Sequence, residues 1–335
     1  MAQTFHICPN TKHFRWCRDI PPVLTVPSGA EISFDLHDGG NNQVIRLDNT
    51  KEALSTFDFT QADPGHGPVF IEGAEPGDVL RVDFLELETA DYGWTAIFRG
   101  FGVLADEFDD KPPALRMWDL RGAAERRYIV FPTTSEHLRG KIRVPFSPFL
   151  GTIGVAPAAG GEHPMVPPMP HTGGNIDTRH ITCGSSLYLP IQVAGALLSV
   201  GDGHAAQGDG EVCGTAVETP MRCRLRVTVE KGESTKNWCA DGPAIMTAPR
   251  ETRPELDVVA KGGREFMALG VDADLREAMK KAVRGVLAWL VTEKGMERSE
   301  AYMLASVAGS LKLTEVVDMP NYVVGFGIPL GIFVD

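Results

Sequence analysis

The sequence lacks a basic surplus and a long apolar run, and each absence argues against a class of protein. Its 335 residues carry 32 lysines and arginines against 44 aspartates and glutamates, a formal net charge of −12. Because nucleic-acid-binding domains need a basic surface, we expect no nucleic-acid partner. No stretch approaches the roughly 18 consecutive apolar residues that cross a bilayer, so we expect no membrane partner.

Cysteine is scarce, and its spacing is uninformative. The six cysteines are scattered and include no Cys-x-x-Cys pair. They fit the reduced thiols of a cytoplasmic protein, although their even number leaves disulfides open. Residues 1–22 carry charges, His and Asn where a secretory signal needs an apolar run. We therefore expect a soluble, cytoplasmic protein.

Several standard catalytic motifs are also missing. The chain has no phosphate-binding G-x-x-x-x-G-K-[ST] loop and no strand-bound G-x-G-x-x-G, so a nucleotide cofactor is not expected. It also lacks the G-x-S-x-G elbow of serine hydrolases and the His-Glu-x-x-His motif of zinc proteases. Any catalytic site must be built from less regular spacings.

The most informative stretch that is present is glycine-rich and runs from Val200 to Glu218. It is predicted to be a loop between an apolar strand ending at Val200 and an alternating strand over residues 222–230. One imidazole, His204, stands among several carboxylates, a combination that suits a divalent metal such as zinc. On spacing alone, a tight turn whose carboxylates cap backbone amides explains the stretch equally well.

Two more clusters combine glycine with polar side chains. Residues 37–43 follow the alternating strand of Ile32, Phe34 and Leu36, and a simple hairpin turn is the alternative explanation for them. Residues 171–177 end a proline- and glycine-rich segment, 151–174. A loop of that length inside a compact domain is usually functional, so we interpret it as an active-site lid or a linker.

The order of predicted elements indicates a mainly β fold with a C-terminal α+β part. Helical periodicity appears only over residues 275–291, with Asp272 as N-cap and Gly295 as the stop, and over a shorter helix that Ser299 caps and that runs through Ala308. Strands and helices do not alternate, which argues against a parallel doubly wound sheet. We divide the chain into a β-rich region 1–150, the lid or loop 151–174, and a region 175–335. The charged segment 106–127 is predicted to be a surface excursion.

The residue types in the three clusters fit amide hydrolysis. That reaction needs a nucleophile, stabilisation of an oxyanion and a proton for the leaving nitrogen. A metal can polarise the carbonyl and supply hydroxide near neutral pH. A thiol nucleophile is the alternative, but nothing local singles out Cys183 or Cys213, and free cysteine is usually buried and inert.

Long motifs in the chain resemble the acetamidase/formamidase family. The resemblance rests on Gly174–Asp177, Gly184–Pro190 and above all Ser199–Glu218, with further matches at residues 67–69, 72–78 and 299–306. It covers nearly the whole chain. Asn42 stands where the family usually has glycine and Cys183 where it has alanine, which leaves the exact substrate open.

The resemblance implies a fold of sandwich-like and barrel-like β parts with a C-terminal α+β element. It also implies hydrolysis of a short aliphatic amide, of the formamide or acetamide type, to its acid and ammonia. Members of the family resemble metal-binding cytoplasmic homo-oligomers. The alternative is a non-catalytic small-molecule or metal-binding protein on the same scaffold.

Chemistry then assigns the metal ligands. We predict that Asp202, His204 and Glu218 bind a divalent metal, with Asp38 as the next candidate. Zinc is the first choice of metal, and calcium is the alternative.

Chemistry also assigns the catalytic side chains. Glu211 or Asp209 would handle protons, because a carboxylate must pass a proton to the leaving nitrogen. Asn175 and Gln43 would orient the substrate amide.

Overall fold

The computed structural model of the chain describes residues 5–44, 52–109, 113–231, 239, 242–249, 264–317 and 319–334. Strands dominate it, so the mainly β prediction is confirmed. The strands are β1 Phe5–Ile7, β2 Lys12–His13, β3 Arg15–Trp16, β4 Leu24–Val26, β5 Glu31–Leu36, β6 Gly65–Ile71, β7 Val79–Thr89, β8 Tyr92–Ile97, β9 Ala114–Asp119, β10 Tyr128–Val130, β11 Arg143–Pro145, β12 Phe149–Gly154, β13 His163–Pro164, β14 Gly173–Asn175, β15 Ser186–Pro190, β16 Leu198–His204, β17 Met221–Glu230, β18 Ala244–Met246, β19 Glu265–Asp272, β20 Ser310–Glu315 and β21 Tyr322–Pro329.

Helices are few and mostly short. They are α1 Glu52–Ser55, α2 Ala105–Phe108, α3 Ala123–Arg126, α4 Leu275–Lys294 and α5 Arg298–Ala308, with single 3₁₀ turns at Phe59–Gln61, Glu136–Leu138 and Leu330–Ile332. Both predicted C-terminal helices are present. Their N-caps differ from the prediction, because the side chains of Asp274 and Glu297 accept the first free amides of α4 and α5. Gly295 ends α4 in the left-handed conformation, φ 61°, as its lack of a Cβ allows.

Two large sheets pack face to face and form a sandwich. One has the strand order β1-β5-β17-β7-β15-β18, and the other has β14-β12-β16-β6-β2 with β4 also beside β6. Alternate residues of β5 are buried, as predicted, and together with buried residues of β7 they pack against β6, β12 and β16 of the second sheet. The sandwich-like prediction is confirmed, while the described residues form no closed barrel.

The first of these sheets mixes early and late parts of the chain. Strand β17 lies between β5 and β7 and is antiparallel to both. Residues 1–150 and 175–335 therefore share one sheet, and their division into separate regions stays a prediction.

The predicted surface segment is exposed for the most part but is anchored in the core. Residues 106–127 include β9, which pairs with β8, and Trp118 on β9 is fully buried. Leu115 is buried as well, whereas Asp119 and every residue of 121–127 except Ala123 are exposed. The segment therefore lies mainly at the surface, as predicted, with β9 as its anchor in the core.

The C-terminal part is a small α+β layer. Its sheet has the order β19-β21-β20, and α4 lies across it. A Cβ on Gly270 would overlap the carbonyl oxygen of Ala278, so glycine at this point of β19 lets helix and sheet approach closely. Among the described residues, no helix is both long enough and apolar enough to cross a membrane.

A buried carboxylate ties α5 to the neighbouring strands. Glu300 is fully buried and accepts hydrogen bonds from Arg116 Nη2 at 2.6 Å, Thr133 Oγ1 at 2.7 Å and Thr134 N at 2.8 Å. Burial alone would raise the pKa of Glu300. The hydrogen bonds from Thr133, Thr134 and Arg116 outweigh burial, and the pKa lies below its ordinary value of 4.5.

Replacing Glu300 should destabilise the fold. Glu300→Ala leaves the Arg116 charge without its partner, and we expect a loss of about 3 kcal/mol in the free energy of unfolding. Glu300→Gln keeps the shape and should lose less. Because a lowered pKa stabilises the fold only while the carboxylate is ionised, the advantage of wild type over Glu300→Gln should shrink as the pH falls below about 4.5. Urea unfolding at several pH values measures both effects, and a difference that widens in acid would contradict this assignment.

Candidate active site

The central stretch begins as a strand rather than as a loop. Residues 198–204 form β16 inside the second sheet, and every one of them is buried. The pairing of β16 with β12 is interrupted at Asp202, opposite Gly151, and Asp202 takes the left-handed conformation, φ 56°. This local irregularity turns the Asp202 carboxylate toward His204 at the end of the strand. The loop proper starts only after His204.

Glu218 reaches the same place through backbone pairing. Its N–H and C=O exchange hydrogen bonds with Trp94 at 2.8 and 2.9 Å, and it also bridges to the backbone of His204. Oε1 of Glu218 accepts the amide of Ala216 at 2.8 Å. Oε2 is therefore left to face the imidazole.

Asp202, His204 and Glu218 form a compact ligand group. Nε2 of His204 lies 3.1 Å from Asp202 Oδ1 and 3.0 Å from Glu218 Oε2. Neither oxygen makes a hydrogen bond, although both are buried. Two ligands of a tetrahedral zinc ion, each about 2.0–2.1 Å from the metal, lie about 3.3 Å apart. The three atoms thus have the spacing and the unsatisfied oxygens that a bound divalent cation requires.

Gln207 fixes the orientation of the imidazole. Its Nε2 donates to the carbonyl of Asp177 at 2.7 Å, so its Oε1 remains to accept from Nδ1 of His204 at 2.9 Å. A neutral His204 then carries its proton on Nδ1 and presents a lone pair at Nε2. Histidines that bind metals are commonly oriented in this way.

Two glycines, one in a turn and one in a strand, allow other segments to approach the Asp202 carboxylate. A Cβ on Gly39 would overlap Oδ1 of Asp202, and a Cβ on Gly151 would overlap Oδ2. The Cβ on Gly151 would also lie 2.5 Å from Asp177 Oδ1 and 2.9 Å from Cε1 of His204. Neither glycine has a positive φ, so close approach rather than backbone freedom explains them.

Further carboxylates crowd the same space. Asp177 and Glu211 can share ligand geometry with His204, and Oδ1 of Asp177 has no hydrogen-bond partner. Burial, followed by the charge of Asp202, raises the pKa of Asp177 to about 7. Burial likewise raises the pKa of Asp202 to about 6 and the pKa values of Asp63 and Glu211 well above their ordinary values. These carboxylates cannot all be ionised without a counter-charge.

The same surroundings favour the charged form of the His204 imidazole. Burial lowers the pKa of His204, but the charges of Asp202 and Glu218 outweigh it and raise the pKa well above the ordinary value. The cluster therefore attracts positive charge, whether a proton or a metal ion.

The carboxylates line a small cavity of about 90 Å³. Aromatic rings line it as well, and the lining contains no lysine or arginine among the described residues. The cavity residues are Gly39, Phe57, Phe59, Ala62, Asp63, Trp94, Phe98, Phe101, Val166, Asn175, Asp177, Asp202, Glu211, Gly214, Thr215 and Glu218. Because no fixed cationic side chain is present, the residues fit a bound metal as the missing counter-charge.

The family of the chain follows from comparison with known proteins. The model of the Acetamidase/Formamidase family matches residues 2–163 and 159–335. The chain belongs to the acetamidase/formamidase family. It is 26% identical to the formamidase of Methylophilus methylotrophus over 96% of this chain and 89% of that protein, and 30% identical to the acetamidase of Mycolicibacterium smegmatis over 70% of each. The structure of a gamma lactamase from Delftia acidovorans is similar with a TM-score of 0.82 and 26% identity, over 96% of this chain and 89% of that one.

The predicted resemblance to acetamidases and formamidases is thus confirmed, and the chain is an amidohydrolase.

Its predicted site residues differ in how close they come to the cluster. Asp38 is fully buried next to it, but Oδ1 accepts the amide of Asn42 at 2.8 Å and Oδ2 accepts Nε1–H of Trp94 at 3.0 Å. Burial raises the pKa of Asp38 to about 6. Asp38 thus fixes the indole ring of Trp94 and lies outside the ligand group.

Glu211 and Asp209, the two proton-transfer candidates, occupy different surroundings. Glu211 lines the small cavity. Asp209 is held by Arg179 through two hydrogen bonds of 2.8 and 2.9 Å, and it lines a wider opening outside that cavity. The same opening includes Pro167 and Pro168 of the proposed lid. The lid segment is therefore at the entrance, and its closure stays a prediction.

The two amide side chains predicted to orient substrate also differ. Asn175 lines the cavity, where it accepts from Thr152 Oγ1 at 2.8 Å and donates to the carbonyl of Val166 at 3.1 Å. Gln43 is outside the lining, and its amide exchanges two hydrogen bonds with the backbone of Asp58, at 2.7 and 3.1 Å. Gln43 anchors the segment that carries Phe57 and Phe59, and its contact with substrate stays a prediction.

Sequence reasoning missed several members of this site. Asp63 lines the cavity and has a positive φ of 50°. Its position just before Pro64-Gly65 was the one feature of the sequence that could have marked it. Nothing local marks Gln207 as the partner of His204. Of the three histidines in the predicted clusters, His204 alone lies in the carboxylate group, since His171 is exposed and His37 contacts Lys12.

Gly151→Ala should damage the site while leaving the sheet intact. Its Cβ would push aside the carboxylates of Asp202 and Asp177, and a displacement of about 1 Å costs roughly 100-fold in rate. Gly160→Ala is the matched control, because its Cβ would meet only Arg18 Nη2, at 3.6 Å. Amide hydrolysis and thermal unfolding are measured together. Equal activity of the two variants would contradict the close approach at Gly151.

Proposed function

We propose that this amidohydrolase hydrolyses short aliphatic amides, of the formamide or acetamide type, to a carboxylate and ammonia, with a divalent metal held by Asp202, His204 and Glu218. The observation that carries the proposal is the ligand group itself. Its three ligand atoms are buried within 4.8 Å of one another, and two of its oxygens have no hydrogen bond. Zinc is the metal that we expect, since catalytic zinc takes three protein ligands from nitrogen, sulfur and carboxylate donors and keeps a fourth position for water or substrate.

The bound metal would polarise the amide carbonyl and lower the pKa of a water molecule. The residues of the chain supply the other requirements. Gln207 keeps His204 in the tautomer that leaves Nε2 free. Glu211 lines the cavity beside the ligand group, so it is better placed than Asp209 to pass a proton to the leaving nitrogen.

Substrate size follows from the cavity. A volume of about 90 Å³ is far below the roughly 300–1,000 Å³ of pockets that hold drug-sized ligands. The site therefore accommodates an amide with a small acyl group.

A thiol mechanism receives no support from the geometry. Cys213 is fully buried, lies outside the cavity lining, and burial raises the pKa of its thiol. Cys183 is exposed and donates to the carbonyl of Leu85 at 3.0 Å, away from the cavity lining.

We also retain a homo-oligomeric cytoplasmic enzyme as part of the proposal. Apolar side chains such as Leu269, Val271 and Leu313 are exposed on the C-terminal sheet, with exposed fractions of 60%, 48% and 63%. Contact between copies would remove them from water. Light scattering of the purified protein measures the number of copies.

Removing the metal should abolish activity. After dialysis against a chelator, ammonia release from acetamide is expected to fall to background, and zinc should restore it. Metal content and ammonia release are measured on the same sample, which also separates an enzyme from a metal-binding protein without activity. Full turnover by protein shown to be free of metal would end the metal proposal.

His204→Ala should lose bound metal and at least about 100-fold in kcat, because it removes the one nitrogen ligand. His171→Ala is the matched control at an exposed histidine.

Cys213→Ser should keep substantial turnover if water is the nucleophile. A serine variant that is folded and metal-loaded but inactive would instead require a covalent thiol mechanism.

Acyl size should limit the reaction. Formamide, acetamide and propionamide should all be hydrolysed at graded rates, whereas benzamide and peptides should not, because they overfill the cavity. Values of kcat/KM for the four small amides test this. Benzamide as the best substrate would show an open site.

A further inference from the structure

Five aromatic rings line the cavity without supplying a polar group to the hydrolytic chemistry. They are Phe57, Phe59, Trp94, Phe98 and Phe101, and they share this lining with the carboxylates. We call these five rings the aromatic wall. Hydrolysis of an amide needs only polar groups around the carbonyl and the nitrogen, so the wall serves another purpose.

The rings of the wall support one another. The Phe57 centroid lies 4.8 Å from Phe98 and 4.9 Å from Phe59, and Phe59 lies 5.0 Å from Phe98. Trp94 completes the group at 6.3 Å from Phe57, with its ring held by the hydrogen bond to Asp38. Such contacts at 4.5–7 Å are favourable, so the wall is formed before substrate arrives.

The loop that carries Asp38 packs directly on this wall. A Cβ on Gly40 would lie 2.9 Å from Cζ2 of Trp94 and 3.0 Å from Cε2 of Phe57. Glycine is therefore needed where the two segments touch. Trp94 and Phe98 are almost fully buried, with exposed fractions of 2% and 5%, whereas Phe59 and Phe101 are 51% and 39% exposed at the mouth.

The lining offers a substrate amide two kinds of surface, carboxylates and rings. The polar carbonyl and nitrogen must lie against the carboxylates, so the acyl substituent is left to contact the rings. Formamide has no carbon substituent and would leave the rings in contact with water. Each methylene buried against them should raise kcat/KM about fourfold.

We propose that the aromatic wall is the acyl-binding subsite and that it makes amides with an apolar acyl group of about two to four carbons preferred over formamide. This inference rests on the proposed amide hydrolysis and names its substrate class. The small cavity sets the upper limit. A charged or polar acyl substituent would meet the rings without a hydrogen-bond partner and should be rejected.

The wild-type enzyme gives the first test. Values of kcat/KM should rise about fourfold per methylene from acetamide through propionamide to butyramide, whose carbonyl groups differ little in reactivity. Glycinamide has the size of propionamide with an ammonium group in place of the methyl, and it should be at least about 100-fold poorer. Formamide as the best substrate overturns the proposal. The proposal is also overturned if glycinamide is a better substrate than propionamide, because the rings would then bind cations.

A variant of the half-buried Phe57 gives the second test. In Phe57→Ala, the ratio of kcat/KM for propionamide to that for formamide should fall about tenfold, and comparing the ratio within one protein cancels differences in stability. Phe57→Leu keeps apolar volume and should restore part of the ratio. Phe14→Ala truncates a phenylalanine outside the cavity lining and serves as the control with an unchanged ratio. An unchanged ratio in Phe57→Ala would overturn the proposal about the aromatic wall. If the wild-type enzyme hydrolysed none of these amides, the proposed function itself would be wrong.

Discussion

The site depends on one electrostatic constraint, which is the burial of several carboxylates around a single imidazole. Asp63, Asp177, Asp202, Glu211 and Glu218 share a cavity whose lining contains no lysine or arginine in the part of the chain that the structure describes. Such an arrangement is unfavourable unless protons or a metal ion compensate the charge. The raised pKa values and the unbonded oxygens are two signs of the same imbalance. Stability for this cluster must come from the rest of the fold.

The sandwich and the C-terminal helices supply that support in different ways. Strand β16 places Asp202 and His204 rigidly in a sheet, and glycines on two neighbouring segments leave room for the carboxylate. Helix α5 then supports the following loop from beneath. Tyr302 Oη donates to the carbonyl of Val212, and Ser306 Oγ donates to the carbonyl of Thr215 at 2.7 Å. The late motif of residues 299–306 thus contacts the central motif directly.

Trp94 connects the two sides of the cavity. Its backbone pairs with Glu218, its indole nitrogen bonds to Asp38, and its ring belongs to the aromatic wall. A displacement of this one residue would therefore alter both the ligand group and the aromatic wall. The two depend on a shared anchor, so packing fixes their positions relative to each other.

The sequence by itself determined the β-rich class, the alternating strands such as Ile32–Leu36, the two late helices and the family, because these depend on short-range periodicity and on one long motif. It also marked Asp202, His204 and Glu218 as a group. Tertiary structure alone decided which other residues join them. Asp63 and Phe57 reach the cavity from segments far away in the chain, Asp38 is directed to Trp94, and Gln43 to Asp58. Those outcomes depend on sheet register and on close backbone approach, which bring together residues that no local pattern connects.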